Sequence, residues 1–334
     1  MSDFKDILGN ENIIEHMMLS YQQNKVSHAY IIEGEKGSGK KTIAESFAKL
    51  LMCQEHGEEA CGHCRSCIQI EHGDHPDVIS VTHQKPATLS VDDIRDQIVG
   101  TVDVIPYVGP YKIYIVDEAE KMNEAAQNAL LKTIEEPPEY AVILLLTTNR
   151  GAFLPTILSR CILLSTRPVP DALVKQYLTS KLGIDEGVAE FCTRFAMGNI
   201  GRAVECAQSE DFMALRDKAV SLLSKIHDIS IPEMDAYVKT LKNDKNHMDE
   251  FLDIFVMWFR DLLFLKTLKE SEGRDYRVFK NEYASLLHQS KNIRLENLND
   301  IFQKVGNARA RLRANVNFEM TLEMMILEIR DAFA

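Results

Sequence analysis

A glycine-rich turn between an apolar strand and a helix constrains this chain more than any other feature. Ala29-Tyr-Ile-Ile-Glu33 is followed by Gly34-Glu-Lys-Gly-Ser-Gly39-Lys40, and a helical pattern runs on from Lys40 to Leu51. Such a loop converges backbone N–H groups and a helix N-terminus on one point, an arrangement that cradles phosphate. Its strand needs a sheet, and the first half of the chain supplies one. Strand-like runs at 77–81, 111–116, 141–146 and 161–164 alternate with helical stretches, the pattern of a parallel sheet covered by helices. Ser90-Val-Asp-Asp93 reads as a capping box opening a helix through Ile98. A second helix is expected over 119–135, stopped by Pro137 and Pro138, and a short helical turn near Thr156. The expectation is an α/β core with five parallel strands.

Beyond Pro168 and Pro170 the pattern is helical only. Three helices are expected over 170–208. Amphipathic segments follow at Asp249–Leu268 around the single Trp258, at Leu295–Leu312 and at Phe318–Ala334. The division expected is a core over 1–166, a small helical unit over 167–209 and an all-α bundle over 210–334, with Ser271-Glu-Gly-Arg274 the most linker-like patch. A length of 334 residues, 45% of them hydrophobic and 26% charged, allows each part its own core and excludes global disorder. Apolar runs such as Ala141–Leu146 are far too short to span a membrane, and the N-terminus lacks the pattern of a secretory signal, so a cytoplasmic protein is expected. A net charge of −12 excludes wrapping nucleic acid by bulk electrostatics. Arg309 and Arg313 share a helix face while Arg311 points elsewhere, which reads as a solvated face rather than a DNA stripe.

The phosphate loop carries a defect. Gly34, Gly37, Gly39 and Lys40 complete the pattern G-x-x-x-x-G-K, after which Ser or Thr should ligate Mg²⁺. Lys41 stands there instead, with Thr42 one position late and turned by about 100° along the helix. A second cation at that place opposes a divalent metal. Ile113-Tyr-Ile-Val116 then delivers Asp117 and Glu118, types that in a working ATPase hold Mg²⁺ through water and polarise the attacking water. Alone, such a pair serves equally as a helix cap; with the loop it describes a degenerate nucleotide site. ATP and Mg²⁺ are therefore doubtful here, and intrinsic hydrolysis is not expected.

Cys53, Cys61, Cys64 and Cys67 give C-x7-C-x2-C-x2-C, four of the seven cysteines within one short segment. Thiolates this dense suit tetrahedral Zn²⁺ in a structural role, because four protein ligands leave no position open for chemistry. An iron–sulfur cluster or free thiols remain the competitors, and His56 or His63 could replace one ligand. Cys161, Cys192 and Cys206 are scattered and read as buried thiols.

Further stretches resemble a known family. Ile7-Leu-Gly-Asn10, Ser27-His-Ala-Tyr30, the glycine loop and Val116-Asp-Glu-Ala-Glu-Lys-Met122 are similar to the clamp-loader AAA+ proteins of bacterial DNA polymerase III, most of all to their delta-prime branch. So are Asn128-Ala-Leu-Leu-Lys-Thr-Ile-Glu-Glu-Pro-Pro138, Thr147-Thr-Asn149 and Leu158-Ser-Arg-Cys161. The resemblance is close over the first 210 residues and one of class and length beyond them. It implies an AAA+ core, a zinc module at the cysteine insertion, a helical lid and a C-terminal collar that holds subunits together, for which Met320, Leu322, Met324 and Met325 are candidate contacts. It implies that Thr148 or Asn149 senses the γ-phosphate, that Arg202 faces the nucleotide from the lid, and that Arg160 is an arginine finger serving a neighbour's ATP. Partners implied are tau/gamma and delta subunits, with the sliding clamp and primer-template DNA reached through the complex. The function expected is a scaffold that completes a neighbour's ATPase site; the alternatives are an active clamp-loader ATPase like tau or gamma, and a zinc-containing adaptor that only inherited the fold.

Overall fold

The computed structural model describes residues 4–268 and 277–333. Ser271–Arg274 and Ala334 lie outside the described residues. The chain forms two compact units, one of Met1–Val174 with Gly198–Arg202, the other of Lys175–Met197 with Ala203–Ala334. Residues 167–209, expected as a separate unit, are shared between them.

In the first unit the strands are β1 (Ala29–Glu33), β2 (Val78–Val81), β3 (Lys112–Val116), β4 (Ala141–Thr147) and β5 (Ile162–Ser165). They form one sheet in the order β2-β3-β4-β1-β5, parallel throughout. The central strands are continuous apolar runs because helices cover both faces. Alternation along them sorts the core: Tyr30, Ile32, Ile113, Ile115, Leu144 and Leu146 pack with Phe47 and Leu51 on one face. Ala29, Ile31, Tyr114, Val116, Ile143 and Leu145 pack with Ile94, Ile98 and Leu130 on the other. Each fully buried Val, Leu, Ile or Phe side chain among them contributes about 1.5–3 kcal/mol. Connections after β1 and β4 leave in opposite directions, so the crevice beyond their C-terminal ends is where a ligand is expected in a sheet of this kind.

The helices of this unit are α1 (Glu11–Gln22), α2 (Lys40–Met52), α3 (Arg65–His72), α4 (Val91–Ile94), α5 (Glu124–Glu135) and α6 (Pro155–Leu158). The box at Ser90 forms: its Oγ accepts from Asp93 N–H at 3.2 Å, and Asp93 accepts from Ser90 N–H at 2.8 Å. A wider helical turn, Arg95–Val99, continues α4. The helix expected over 119–135 is interrupted. Glu118 takes left-handed backbone angles (φ 50°), Ala119–Lys121 is a single tight turn, and α5 starts only where Asn123 Oδ1 accepts from Ala126 N–H at 2.8 Å. Asn123 supplies the N-cap that wins over the continuing apolar period. Two buried charges fix the segment entering β3: Asp77 accepts from Tyr107 and Val108 N–H, both at 2.7 Å, and Lys112 Nζ donates to Thr101 and Val104 carbonyls.

The second unit is helical. Glu186–Ala196, Glu210–Lys225, Ile231–Thr240, Met248–Thr267, Tyr283–Asn292, Leu295–Arg313 and Phe318–Asp331 are its main elements. Trp258 is fully buried and donates to Gln289 Oε1 at 2.8 Å. Arg309 pairs with Asp253 and Asp249, and Arg313 with Asp249, so both are charge-balanced within their own unit. The candidate contact residues divide: Leu322 and Met325 belong to the core, whereas Met320 and Met324 are exposed.

Candidate nucleotide cleft and metal centre

At the C-terminal edge of the sheet a cleft of about 540 Å³ opens between the glycine loop, the turn after β3 and the end of β4. Of the residues grouped from the sequence, Gly37, Gly39, Lys40, Thr42, Asp117, Glu118 and Thr148 line it, together with Lys36, Lys41, Glu120, Leu146, Thr147 and Gly201. Gly34 and Arg202 are not among the lining residues. Gly34 sits behind the loop, its N–H donating to Thr147 O at 3.0 Å, where a Cβ would lie 1.9 Å from Thr166 Oγ1. Arg202 donates its backbone N–H to Asn199 Oδ1 at 3.1 Å.

The loop is clamped from one side. Gly201 N–H donates to Gly37 O at 2.9 Å, and Asn199 Nδ2 donates to Lys36 O at 2.8 Å. Gly37 must be glycine for two reasons: its φ is +85°, and a Cβ there would stand 2.7 Å from Asn199 Oδ1. Asn199 and Gly201 thus hold the loop, a contact that the expected role of their neighbour Arg202 does not include. Both lie in the glycine-containing stretch Gly198-Asn-Ile-Gly-Arg202, the signal in the sequence for such a close approach.

Lys40 is 8% exposed, and its Nζ donates to the carbonyls of Gly34 and Glu35, both at 2.8 Å. Burial lowers its pKa, and the charge of Asp117 works against that. Lys41 is mostly exposed and held only loosely, 3.9 Å from Glu45 Oε1. Across the cleft Glu118 pairs with Lys121 at 2.6 Å and lies 3.6 Å from His83 Nε2. Thr148 Oγ1 donates to Glu120 Oε1 at 2.6 Å, whereas Asn149 caps the next turn by accepting from Gly151 N–H. Between the two residues considered as phosphate sensor, only Thr148 therefore faces the cleft. The donor set suits phosphate, through glycine N–H groups and lysines, whereas at the sequence position after Lys40, where a metal-binding hydroxyl is expected, the chain carries Lys41.

Arg160 follows α6 and, among the described residues, lies outside those that line the cleft. Its side chain is 39% exposed; Nη2 pairs with Glu135 Oε1 at 3.0 Å, and Nη1 donates to Thr156 O at 3.0 Å and Ser159 Oγ at 3.2 Å. The guanidinium is thus braced at the surface by the end of α5.

The cysteines converge. The Sγ atoms of Cys53, Cys61, Cys64 and Cys67 all lie within 4.8 Å of one another. Cys53 closes α2 and Cys64 caps α3, which carries Cys67. Backbone N–H groups of Cys61, Cys64 and Cys67 donate to the sulfurs of Cys53, Cys61 and Cys64 in turn. Burial opposes the Cys64 thiolate, yet the N–H donors of Cys67 and Gln54 and the neighbouring thiols bring its pKa down to about 7. His63 is engaged elsewhere, with Cys61 O and Glu55. The apolar cluster here contains only Cys53, Ala60 and Cys67, flanked by Cys61 and Cys64. A segment with so little to bury needs a cross-link, and four thiolates fit a tetrahedral metal.

Among the described residues no helix is long and apolar enough to cross a membrane. Residues 9–170 match the family described as DNA polymerase III, delta subunit. Over 322 residues the chain is 29% identical to the DNA polymerase III subunit delta' of Bacillus subtilis (strain 168), covering 93% of each chain. It is 30% identical over 261 residues to the corresponding subunit delta' of Escherichia coli (strain K12), covering 78% of this chain and 75% of that one. Identity to the DNA polymerase III subunit tau of Bacillus subtilis (strain 168) is 31% over 293 residues, but these span 81% of this chain and only 51% of the tau chain. On these similarities the chain belongs to the family of bacterial DNA polymerase III delta' subunits.

Proposed function

We infer that this chain is a non-hydrolysing member of a clamp-loading assembly, completing a neighbouring subunit's ATP site with Arg160 and helping to place a sliding clamp on primed DNA. The observation that carries the reading is a pairing of loss and retention. Lys41 stands in the cleft where a metal-binding hydroxyl belongs, while Arg160 is presented at the surface, away from the chain's own cleft. A guanidinium serving phosphoryl transfer in a neighbour needs that outward placement.

The neighbours are subunits like tau/gamma and delta; clamp and primer-template DNA are met through the complex, in the cytoplasm. Residues 1–166 act as the AAA+ core, 167–209 as a lid and 210–334 as a collar, with exposed Met320 and Met324 available for subunit contact. Cys53, Cys61, Cys64 and Cys67 hold a structural Zn²⁺. Gly34, Gly37, Gly39, Lys40, Thr42, Asp117, Glu118, Thr148 and Arg202 are the remains of a nucleotide site.

One observation favours a second reading, an active ATPase like tau or gamma: Thr42 also lines the cleft. Steady-state ATP turnover by the purified chain with Mg²⁺ separates the two. The non-hydrolysing reading expects no turnover above that of Lys40→Ala; turnover that Lys40→Ala abolishes would overturn it.

A further inference from the structure

We propose that Lys41 takes the place of the divalent metal, so that the cleft binds a nucleoside di- or triphosphate without Mg²⁺. The inference rests on the reading that this site does not hydrolyse ATP, and it assigns the site a ligand. Phosphate groups beside a carboxylate need a cation between them, and in a metal-dependent loop that cation is Mg²⁺. Here Lys36, Lys40 and Lys41 line the same cleft as Asp117, Glu118 and Glu120.

The six charges are not equivalent. Glu118 is satisfied by Lys121 at 2.6 Å, and Glu120 accepts from Thr148 at 2.6 Å. Asp117 accepts from the N–H of Glu118, and its charge offsets part of the lowering that burial imposes on the Lys40 pKa. Lys40 is itself bound to the carbonyls of Gly34 and Glu35. Lys41 is held only loosely: its Nζ is 3.9 Å from Glu45, the side chain is 63% exposed, and it borders both this cleft and a smaller cavity beside Glu45 and Glu71. A loose pair between an exposed lysine and a half-buried glutamate four residues on is weak and yields to a phosphate oxygen, which forms the stronger charge-assisted bond. An ammonium with three donors can bridge a phosphate and a carboxylate, supplying the charge that a hydroxyl supplies only through a metal, and Lys41 and Asp117 line the same cleft. The glycine N–H groups and the left-handed Gly37 and Gly39 retain the cradle for the phosphates themselves.

Equilibrium titration of the full chain with ADP and with ATP, in EDTA and in Mg²⁺, tests the assignment. The expected result is binding in EDTA with an affinity within about twofold of that in Mg²⁺. Lys41→Thr is expected to weaken binding in EDTA by about 10- to 100-fold and to regain affinity when Mg²⁺ is added. Lys41→Arg, which keeps the charge, is expected to bind in EDTA, and circular dichroism of each variant reports folding. No binding of either nucleotide would overturn the assignment while leaving the non-hydrolysing reading intact. Binding that requires Mg²⁺, or Lys41→Thr binding in EDTA as tightly as the parent, would also overturn it. Mg²⁺-dependent turnover in the same samples would instead count against the non-hydrolysing reading.

Discussion

Two regions of the first unit address metals in opposite ways. At 53–67 four thiols converge within 4.8 Å in a segment whose apolar cluster contains little besides cysteine. At 34–42 the loop, the acidic pair and a polar residue after β4 surround a cleft, but the position for a metal-binding hydroxyl carries an ammonium. In the first region four thiols stand close enough to share one ion, and little besides cysteine is buried around them. In the second the surrounding sheet is independently stable, being packed on both faces, so one ligand can be lost without loss of fold. The difference teaches that a metal site which holds the backbone together tolerates no missing ligand, whereas a site resting on a finished core can change its chemistry by one residue.

The largest expected effect breaks the first half of that comparison. Replacing Cys61 and Cys64 with Ser should reduce bound zinc from about one per chain to none and expose 53–67 to proteolysis, because structural zinc supplies folding free energy outright. Metal analysis with limited proteolysis checks it; an unchanged metal content would sink the four-cysteine assignment. The sheet should survive, since its two apolar clusters draw on other residues.

Smaller effects separate the two adjacent lysines. Lys40→Ala removes the donor that two loop carbonyls share and should cost about 1–3 kcal/mol in chemical denaturation. Lys41→Ala, giving up only a loose exposed pair, should cost less than about 0.5 kcal/mol. Equal costs would mean that Lys41 has a structural role and would blunt the contrast.

Much of this was legible in the sequence because it is local. β1, β3 and β4 are buried along nearly their whole length and read as unbroken apolar runs. The edge strands β2 and β5 are half exposed, and each begins one residue later than its apolar run. Neither the strand order nor the helices α1 and α3 could be drawn from those runs. The phosphate loop, the acidic pair and the cysteines each lie within one short segment, so their spacing alone announced them. The clamp of Asn199 and Gly201 on the loop spans more than 160 positions and is made mainly by backbone groups, which leave no trace in residue type. The break at Glu118 was hidden for a related reason: the apolar period continues through 119–122, and only the Asn123 cap moves the helix start.

The central claim, that this chain supplies a catalytic group to a neighbour instead of using its own cleft, is tested most directly at Arg160. The measurement is the ATPase rate of the assembled clamp loader containing Arg160→Ala, with assembly verified by size-exclusion chromatography. A finger acting in trans predicts intact assembly and a loss of about 10³-fold or more at the one site that this chain completes, seen as the disappearance of that site's share of the total rate. An unchanged rate from a fully assembled complex would contradict the account and leave Arg160 as a surface charge paired with Glu135.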